Sequence, residues 1–490
     1  MTMTHHPLTR FPALAKRMVI ALTLVAFYGC ALGPDYQRPE ATTIPEAYAG
    51  PSSEWKIAVP QAHLSKGNWW EVFNDPELNR LEGDAAMANQ DLKAAAARFG
   101  QARAFADVAK SGLFPRLGVS FLPTEQLDSK NRPVGGRPGK NYDTITVPFD
   151  MSYEIDLWGR VRRTMEAATA QAEASADDFE SVRLTMQAEI AANYFSLRAL
   201  DADKALLQSS IEVYRKSLEL VRNRRAGGMV SDLDLAQAET VLRTTEIQLT
   251  DNALLRAKFQ NALAVLTGKN AVTFRLEEQP LGMVPLVIPP GLPSELLERR
   301  PDIAATERRM AAANANIGAA TAAFFPTVKL SGQAGYQSGI TGNLFDWPSH
   351  FWSLGPSVTL PIFQGGQLRA NLRQAEAVHE ETVAKYRQTV LAAFADVENN
   401  LAAEHLLAKE YDQALAALQS ARRQLKIANN RYSAGLVTYL EVATAQNAAL
   451  GVERTSVRLL GQQLVAVVAL VKSLGGGWNV PDGSGKWPQS

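Results

Sequence analysis

Two stretches of the chain alternate apolar and polar residues almost without interruption. Over residues 145–157 the odd positions are apolar, and over residues 352–362 the even positions are apolar. A period of two is typical of a β-strand with one apolar and one polar face. Weaker alternation follows each of two Phe-Pro pairs, so the sequence predicts two β-hairpins, at about residues 115–157 and 326–363.

Pro148 and Pro356 fall within these predicted strands. Because proline cannot donate to a hydrogen-bond ladder, we expect both residues at bulges. The two hairpin loops, at about residues 128–141 and 338–350, are rich in Gly, Pro and polar residues, which indicates solvated turns. A half-buried sheet of a water-soluble protein would show the same alternation.

Two long regions of the chain lack proline. None occurs between Pro148 and Pro280, and none between Pro361 and Pro481. Proline breaks helix interiors, so its absence permits very long helices. An apolar seam there steps alternately by four and three residues, which is typical of coiled-coil packing. In the first region this seam is Leu207, Ile211, Tyr214, Leu218 and Val221.

The sequence contains an internal duplication. Asp91-Leu92 and Asp302-Ile303 lie 211 positions apart, whereas Gly228 and Gly435 lie 207 positions apart. A period of this length indicates a duplicated domain. The predicted helices fall at matching places in the two halves, at about residues 85–111, 158–225 and 229–266, and again at about 296–323, 366–432 and 436–473.

Together with a secretory signal at the N-terminus, these features predict six segments along the chain. They are a signal peptide at 1–29, an N-terminal segment at 30–84, a first repeat at 85–270, a linker at 271–295, a second repeat at 296–474 and a C-terminal tail at 475–490. Each repeat would contain a helix, a β-hairpin, a long helix and a return helix.

If these four strands lie in a membrane, they cannot form a closed sheet by themselves, because hydrocarbon offers no partner for the strands at the edges. Two copies of the chain would form an eight-stranded barrel filled by side chains, whereas three would form a twelve-stranded barrel with a lumen. A helix over residues 158–225 would span roughly 100 Å, about the length of the two shorter helices stacked end to end. The predicted fold class is therefore mainly α with membrane β. Each chain would supply four transmembrane strands and long coiled-coil helices, and a homotrimer would form a 12-stranded β-barrel on a 12-stave α-helical barrel.

The N-terminus has the parts of a secretory signal. Basic residues are followed by an apolar run from Met18 to Phe27, and then by Gly29 and Cys30. The segment resembles a bacterial lipoprotein signal, with Phe27 where that pattern favours Leu. This resemblance implies cleavage before Cys30 and a covalent N-acyl and diacylglycerol lipid, palmitate included, on that residue. Ala31 resembles the outer-membrane sorting pattern. The alternative is an ordinary signal peptide with a chance cysteine.

The chemistry-bearing residues argue against an enzyme. Cys30 is the only cysteine in the chain. The 50 basic side chains balance the 50 acidic ones, so the net charge does not favour nucleic-acid binding. The histidines beyond the signal do not pair at metal-ligand spacing; they are His63, His350, His379 and His405. We therefore predict no catalytic residue, no metal and no cofactor other than the lipid on Cys30.

Several short motifs occur in one order along the chain. They are Gly291-Leu292-Pro293-Ser294, Arg299-Arg300-Pro301-Asp302, Leu360-Pro361-Ile362-Phe363 with Gly365-Gly366, Arg431-Tyr432 with Gly435, Ala445-Gln446, and Leu474-Gly475-Gly476-Gly477-Trp478. In these motifs the chain resembles the outer membrane factor family, the TolC- and OprM-type ducts, and particularly its NodT-like lipoprotein branch.

That resemblance implies a function. The chain would be the outer-membrane channel of a tripartite efflux pump, lipid-anchored in the bacterial outer membrane and extending into the periplasm. It would passively conduct small molecules, such as drugs, toxic compounds or ions. Its partners would be two further copies, a periplasmic adaptor (membrane fusion) protein, an inner-membrane pump of RND type and outer-membrane lipid.

The resemblance also assigns a role to the turns between the long and return helices. These turns match the tips that meet the adaptor, and they comprise Gly228, Met229, Val230 and Ser231 in the first half and Gly435, Leu436, Val437 and Thr438 in the second. The glycines fit an ordinary tight turn equally well.

A gate is implied beside these tips. Leu440 falls on a constricting position of the family, and Thr444 occupies a position where many members carry an inward aspartate. Asp232, Asp234 and Glu441 would supply charge to the gate. The alternative is that these acids are dipole partners of a helix start.

Three acidic residues lie on the polar face of the first hairpin. Asp150, Glu154 and Asp156 would face the lumen, where three copies would make an electronegative passage that favours cations. The alternative is that they are merely solvated.

Two other functions remain open from the sequence. One is a type I-like duct for peptide or protein secretion. The other, from a different class, is a periplasmic coiled-coil scaffold lipoprotein that has no channel.

Overall fold

The computed structural model describes residues 31–39, 68–127, 129, 131, 141–282 and 299–476. Cys30, the predicted signal peptide and most of the predicted C-terminal tail lie outside the described residues. The chain divides into two compact units. One comprises residues 1–39, 100–174 and 306–385, and the other comprises residues 40–99, 175–305 and 386–490.

Seven α-helices lie in the described part of the chain. They are α1 (Pro76–Ala88), α2 (Gln90–Ser111), α3 (Arg160–Ala226), α4 (Asp232–Leu266), α5 (Pro301–Ala322), α6 (Gln367–Ser433) and α7 (Tyr439–Ser473). A short 3₁₀ helix, Trp69–Phe73, precedes α1. At 1.5 Å per residue, α3 and α6 each extend roughly 100 Å.

The two halves of the chain contain helices of identical lengths. Helices α2, α3 and α4 have 22, 67 and 35 residues. Helices α5, α6 and α7 repeat the series with 22, 67 and 35 residues. The duplication seen in the motifs is thus a duplication of whole elements.

The first predicted helix, at about 85–111, is interrupted in the structure at Asn89. The side-chain oxygen of Asn89 accepts from the Leu92 N–H (2.9 Å), and its side-chain nitrogen donates to the Leu266 carbonyl (2.8 Å). Asn89 therefore caps the start of α2 and satisfies a carbonyl at the end of α4. No neighbouring glycine or proline marks this break in the sequence.

Five strands form one antiparallel sheet in the first unit. They are β1 (Arg116–Val119), β2 (Leu122–Leu127), β3 (Asn141–Ile155), β4 (Thr327–Ser338) and β5 (His350–Thr359). The order is β1-β3-β4-β5, and β2 also pairs with β3. Because β1 and β2 keep one register against β3, they form a single interrupted strand. The sheet therefore corresponds to the four predicted strands.

The expectation that Pro148 and Pro356 lie at bulges is wrong. The β3–β4 and β4–β5 registers pass both prolines without an extra residue. Pro148 lies opposite the gap between β1 and β2. There its carbonyl accepts from the Ser120 N–H (3.2 Å), but proline has no N–H to return the bond. Pro356 lies on β5, at the edge of the described sheet.

Gly335 makes room for this proline. It pairs with Pro148 across the β3–β4 ladder. A Cβ at Gly335 would lie 2.1 Å from the Val147 carbonyl oxygen and 2.9 Å from the Pro148 Cα. Only glycine therefore fits at this position without moving the backbone.

The predicted coiled-coil seam is the core of the second unit. Leu207, Ile211, Tyr214, Leu218 and Val221 are each at most 6% exposed, and they form one apolar cluster with residues of α4, α6 and α7. The helices in this cluster contribute several alanines, which permit close approach. Burial along this seam holds the two helical hairpins together.

Helix α7 is the one described helix that is long and apolar enough, by composition, to cross a membrane. However, 56% of its most apolar window is buried inside the structure. A Cβ at Gly461 would lie 2.6 Å from the Ala199 Cβ, so α7 packs closely on α3. The apolar character of α7 is accounted for by this core packing.

Candidate functional sites

The sheet of the first unit has one polar and one apolar face. The cross-strand register pairs Asp150 with Gln333, and Ser152 with Ser331. On the other face the paired residues are apolar or glycine except Ser338 and His350 at one end of the sheet. The apolar ones include Phe149, Met151, Tyr153, Leu330, Ala334, Trp352, Leu354 and Val358. Four of these are 59–72% exposed in the single chain, namely Phe149, Trp352, Leu354 and Val358. A contiguous apolar surface of this kind marks a contact with lipid or protein.

Two of the predicted lumen acids have different kinds of partner. Glu154 forms an ion pair with Arg160 through two hydrogen bonds of 2.8 Å. Asp150 accepts a hydrogen bond from the neutral Gln333 amide (2.9 Å). The charge of Glu154 is therefore offset locally, whereas that of Asp150 is not offset by this bond.

Asp156 caps the helix that follows the first hairpin. Its carboxylate accepts from the N–H groups of Val161 (3.0 Å) and Arg162 (2.9 Å), and it also pairs with the Arg162 guanidinium (3.2 Å). A carboxylate at a helix start satisfies otherwise unpaired N–H groups and interacts favourably with the helix dipole. This capping gives Asp156 a structural role at the junction of sheet and helix.

Both turns at the helix tips close with the same backbone motif. Gly228 and Gly435 have φ angles of 71° and 72°, in the region that glycine adopts without strain. In each turn the glycine N–H and the next N–H donate to carbonyls three and five residues earlier. This pattern is the Schellman motif. The residues after the glycines, Met229 and Leu436, are 70% and 71% exposed, so each turn presents a large apolar side chain to its surroundings.

Asp234 links the starts of two helices. Its carboxylate accepts from the Ser231 N–H (3.0 Å) and hydroxyl (2.8 Å), which completes a capping box at the start of α4. Its other oxygen accepts from the Tyr439 N–H (2.9 Å), at the start of α7. Thr438, the residue before α7, makes no side-chain cap of its own. One carboxylate thus caps both return helices.

The hydrogen bonds to Asp234 affect its ionisation. Asp234 is only 7% exposed, and burial opposes the charged form. The hydrogen bonds from Ser231 and from the Tyr439 N–H outweigh burial and hold the pKa of Asp234 below its usual value. The carboxylate is therefore ionised at neutral pH.

Arg224 makes a second link between the tips. Its guanidinium donates to the carbonyls of Tyr432 (3.1 Å) and Ser433 (3.4 Å), at the end of α6. It also lies over the Tyr432 ring, 4.8 Å from the centroid. A cation at a helix C-terminus satisfies free carbonyls and complements the dipole. The first half therefore supplies caps to both helices of the second tip.

The matching residues of the second half do not return these contacts. Arg431 and Glu441 occupy the positions equivalent to Arg224 and Asp234. They form an exposed ion pair with each other at 3.0 Å. The two tips therefore share one backbone motif but differ in their side-chain contacts.

The remaining predicted gate residues lie at the surface of the tips. Leu440 is 54% exposed, and Thr444 donates its hydroxyl proton to the Leu440 carbonyl (2.8 Å). Together with Glu441 they line an open groove of about 600 Å³ between α6 and α7. Asp232 forms an ion pair with Arg225. Asp234 thus differs from the other acids in being buried.

Part of the role of Asp234 could be read from the sequence. Ser231 followed three residues later by an acid is the spacing of a capping box. The contact with Tyr439 has no such local signal, because the two residues are 205 positions apart.

Residues 31–36 are held against the first unit close to the sheet. The Leu32 N–H donates to the Trp158 carbonyl (3.1 Å), and the Asn314 side chain donates to the Pro34 carbonyl (2.9 Å). Arg163 donates to the Leu32 carbonyl (3.2 Å) and pairs with Asp35 (2.9 Å). These contacts fix the residue after Cys30 beside the junction of β3 and α3.

The fold and these sites define a class of protein: a duplicated, mainly helical chain with a small two-faced sheet. The model of the outer membrane efflux protein family matches residues 81–269 and 292–476. The chain therefore belongs to the outer membrane efflux protein family.

Individual relatives support this assignment. The chain is 34% identical to the toluene efflux pump outer membrane protein TtgF of Pseudomonas putida, over 94% of this chain and 96% of the relative. It is 33% identical to the outer membrane protein OprJ of Pseudomonas aeruginosa, over 94% and 95%. The solved structure of the CmeC outer membrane channel of Campylobacter jejuni superposes with a TM-score of 0.83 at 28% identity, covering 92% of this chain and 95% of CmeC.

These findings confirm the main predictions from the sequence. The chain is an outer-membrane component of an efflux system and not an enzyme, and its fold is that of the TolC-like channels. Membership of an efflux system implies a periplasmic and an inner-membrane partner. The lipid on Cys30 and the roles of the tip, gate and lumen residues stay predictions.

Proposed function

We propose that three copies of this chain form a continuous passive duct across the outer membrane and into the periplasm. The observation that carries this proposal is the sheet of the first unit. Its apolar face is exposed, and its outer strands, β1/β2 and β5, each pair on one side only within the described chain. In hydrocarbon such edges need partners, and strands of identical copies supply them.

The height of the sheet fits a bilayer. From Thr327 to Ser338, β4 spans roughly 36 Å at about 3.3 Å per residue. A strand tilt of about 40° reduces this to roughly 28 Å, close to the apolar band of about 25 Å in outer-membrane barrels. Aromatic residues mark both ends: Trp158 packs on Phe325 with ring centroids 4.9 Å apart, and Tyr336 packs on Phe345 at 5.6 Å.

In this proposal the duct conducts small molecules. An inner-membrane pump of RND type would deliver them to the duct through a periplasmic adaptor. TtgF, which this chain resembles, is named as a component of a toluene efflux pump. Met229 and Leu436 at the tips are the exposed apolar side chains that an adaptor would cover. A bare tube lined by polar side chains has no site that selects one cargo.

Reconstitution tests the duct. Purified full-length protein should run as a heat-resistant trimer and produce discrete conductance steps in planar bilayers. A soluble monomer without conductance would support the coiled-coil scaffold instead. Loss of protein export, rather than of small-molecule efflux, in a strain that lacks this chain would support the secretion duct.

We infer that the lumen faces the polar side of the sheet, which also carries the cations Arg116 and Lys329. On this face Arg160 offsets the charge of Glu154 directly, whereas Asp150 bonds to the neutral Gln333 amide. Asp150→Asn should therefore lower the preference for cations in reversal-potential measurements. Glu154→Gln should change it less. An unchanged preference in both variants would place the selecting charge elsewhere.

We also propose that Cys30 carries the lipid. Supporting this, Ala31 is held beside Trp158 and Gly159, at the helix-side end of the sheet: a Cβ at Gly159 would lie 2.7 Å from the Ala31 Cα. A lipid on the preceding residue would then reach the adjacent leaflet. Mass spectrometry of the mature N-terminus should show the acyl mass, and Cys30→Ser should lack it; an unmodified cysteine in the wild-type protein would disprove the lipid.

A further inference from the structure

The loop that joins β4 to β5 is exposed, as its composition predicts, but it has an ordered fold of its own. Residues 339–349 contain two 3₁₀ turns, Thr341–Asn343 and Trp347–Ser349. The Ser338 hydroxyl donates to the Asn343 side chain (2.6 Å), and the Ser349 hydroxyl donates to the Asn343 carbonyl (2.8 Å). The loop is therefore folded on itself by its own polar groups.

This folded loop directs large apolar side chains outward. Leu344 is 5% exposed and acts as its internal anchor, whereas Phe345 and Trp347 are 70% and 75% exposed. A folded loop that keeps two aromatic rings in water forgoes the burial of roughly 150–250 Å² each. Such a surface is typical of a contact with a partner or with lipid.

The position of the two rings favours lipid. Phe345 packs edge-on against Tyr336 at 5.6 Å, and Trp347 stacks on His350 at 4.1 Å. Tyr336 and His350 are cross-strand partners, in register with the apolar face that carries Trp352. The loop rings therefore extend the apolar face of the sheet beyond its last residue pair, at the end opposite the helices.

We propose that Phe345 and Trp347 anchor this loop in the headgroup region of the outer leaflet. The inference rests on the proposed function, in which the apolar face of the sheet contacts hydrocarbon. Trp prefers the membrane interface because its apolar ring and its polar N–H meet lipid and water there, and Phe345 adds apolar area beside it. The loop would fix the depth of the sheet in the membrane at its outer end.

Site-specific fluorescence tests the anchor in full-length protein. Asp346→Cys allows a fluorescent probe to be attached between the two rings, both of which are kept. The unsubstituted chain, treated in the same way, measures any labelling of Cys30. Leu354→Cys on the apolar face and Ser353→Cys on the polar face are the matched controls. Each labelled protein is reconstituted in phosphatidylcholine vesicles whose lipids carry bromine near the headgroup or near the chain end.

The probe at 346 should be quenched more strongly by bromine near the headgroup than by bromine near the chain end. The probe at 354 should show the reverse order, and the probe at 353 should respond to aqueous iodide alone. Replacing both rings, in Asp346→Cys with Phe345→Ser and Trp347→Ser, should abolish the lipid quenching at 346.

Three outcomes would overturn this proposal in distinguishable ways. If bromine in the lipid quenches the probe at 354 but only iodide quenches the probe at 346, the loop lies in water and the duct stays intact. Disulfide formation between the 346 positions of neighbouring copies, without lipid quenching, would make the loop a contact between protomers. Absence of lipid quenching at 354 as well would contradict the membrane-embedded sheet itself.

Discussion

The two helix tips differ at the scale of single residues. Asp234 and Arg224 reach from the first half to the backbone of the second, whereas their equivalents Glu441 and Arg431 pair with each other at the surface. A buried carboxylate that satisfies two helix starts is worth more than an exposed ion pair, because exposed pairs contribute only about 0–1 kcal/mol. The duplicated chain therefore stabilises its two tips unequally.

Asp234→Ala should loosen both return helices at their starts. Loss of one cap costs about 1 kcal/mol, and the buried Tyr439 N–H would lose its acceptor. Hydrogen exchange should therefore accelerate about tenfold at Tyr439, and also near Ser231. Glu441→Ala is the matched control and should leave both sites unchanged; equal acceleration in both variants would contradict the double cap.

The same cap has a defined pH dependence. The folded-state pKa of Asp234 lies below its usual value. The ionised carboxylate therefore contributes its full stabilisation of the folded tips above the unfolded pKa of about 3.9. This stabilisation is lost as the pH falls through the lower, folded pKa. Wild type and Asp234→Ala should converge in tip exchange rates only under strongly acidic conditions.

Glu82 is a buried carboxyl of the second unit, only 1% exposed. Neither of its side-chain oxygens has a hydrogen-bond partner among the described residues. Burial raises the pKa of Glu82 well above its usual value. For a raised pKa, stability is greatest below the unfolded pKa of about 4.3 and decreases as the pH rises toward the folded pKa.

Glu82→Met should therefore raise the thermal unfolding temperature at neutral pH by a few degrees, and by less at pH 4. The control is Glu77→Met on the same helix. Glu77 is paired with Arg80, whose hydrogen bonds lower the pKa of Glu77, so its loss should reduce stability slightly. A lower unfolding temperature for Glu82→Met would show that the carboxyl has a partner in the assembly.

At the scale of elements, the sheet tolerates a proline in a central strand because the one N–H that proline lacks would point to the gap between β1 and β2. Pro148 faces a gap between β1 and β2 on one side and Gly335 on the other. The gap removes the need for a proline N–H, and the glycine removes a side chain that would meet the β3 backbone. The pairing of Pro148 with Gly335 thus preserves the register of the whole sheet.

Gly335→Ala should disrupt this pairing. Its methyl group would approach the Val147 carbonyl to 2.1 Å, so β3 and β4 would have to separate. In the proposed duct the strands pair between three copies, so the heat-resistant trimer expected there should be lost or strongly reduced on gels. Gly355→Ala on the neighbouring strand meets no atom within 4 Å and should assemble normally. A normal trimer from Gly335→Ala would refute the close approach.

At the scale of the whole molecule, the duplication keeps the two halves equal in length. Helices α3 and α6 both have 67 residues, and α4 and α7 both have 35. Equal lengths bring the two tips to one level, where Asp234 and Arg224 contact the second half. The proposed tube of parallel staves would require this match in each of its three copies.

Insertion of a heptad tests the match. Seven seam-compatible residues inserted in both α3 and α4 would displace the first tip by roughly 10 Å, beyond the reach of Asp234 and Arg224. The purified protein should then unfold at a lower temperature. Inserting the same heptad in α6 and α7 as well should restore the original unfolding temperature. Failure to restore it would show that the matched height of the two tips does not determine the stability of the protein.

Much of this architecture was determined by the sequence alone. The faces of the strands, the long helices, the coiled-coil seam and the duplication all follow from periodic patterns, because burial on one face of an element repeats at the period of that element. The capping box of Ser231 and Asp234 is equally local.

Other features were decided only by the tertiary structure. The contact of Asp234 with Tyr439, the fit of Pro148 to Gly335 and the outward direction of Phe345 and Trp347 leave no periodic trace in the chain. The first two join residues nearly 200 or more positions apart, and the third depends on how a loop folds against the end of a sheet. Such contacts depend on the register in which distant elements pack, and local spacing does not specify that register.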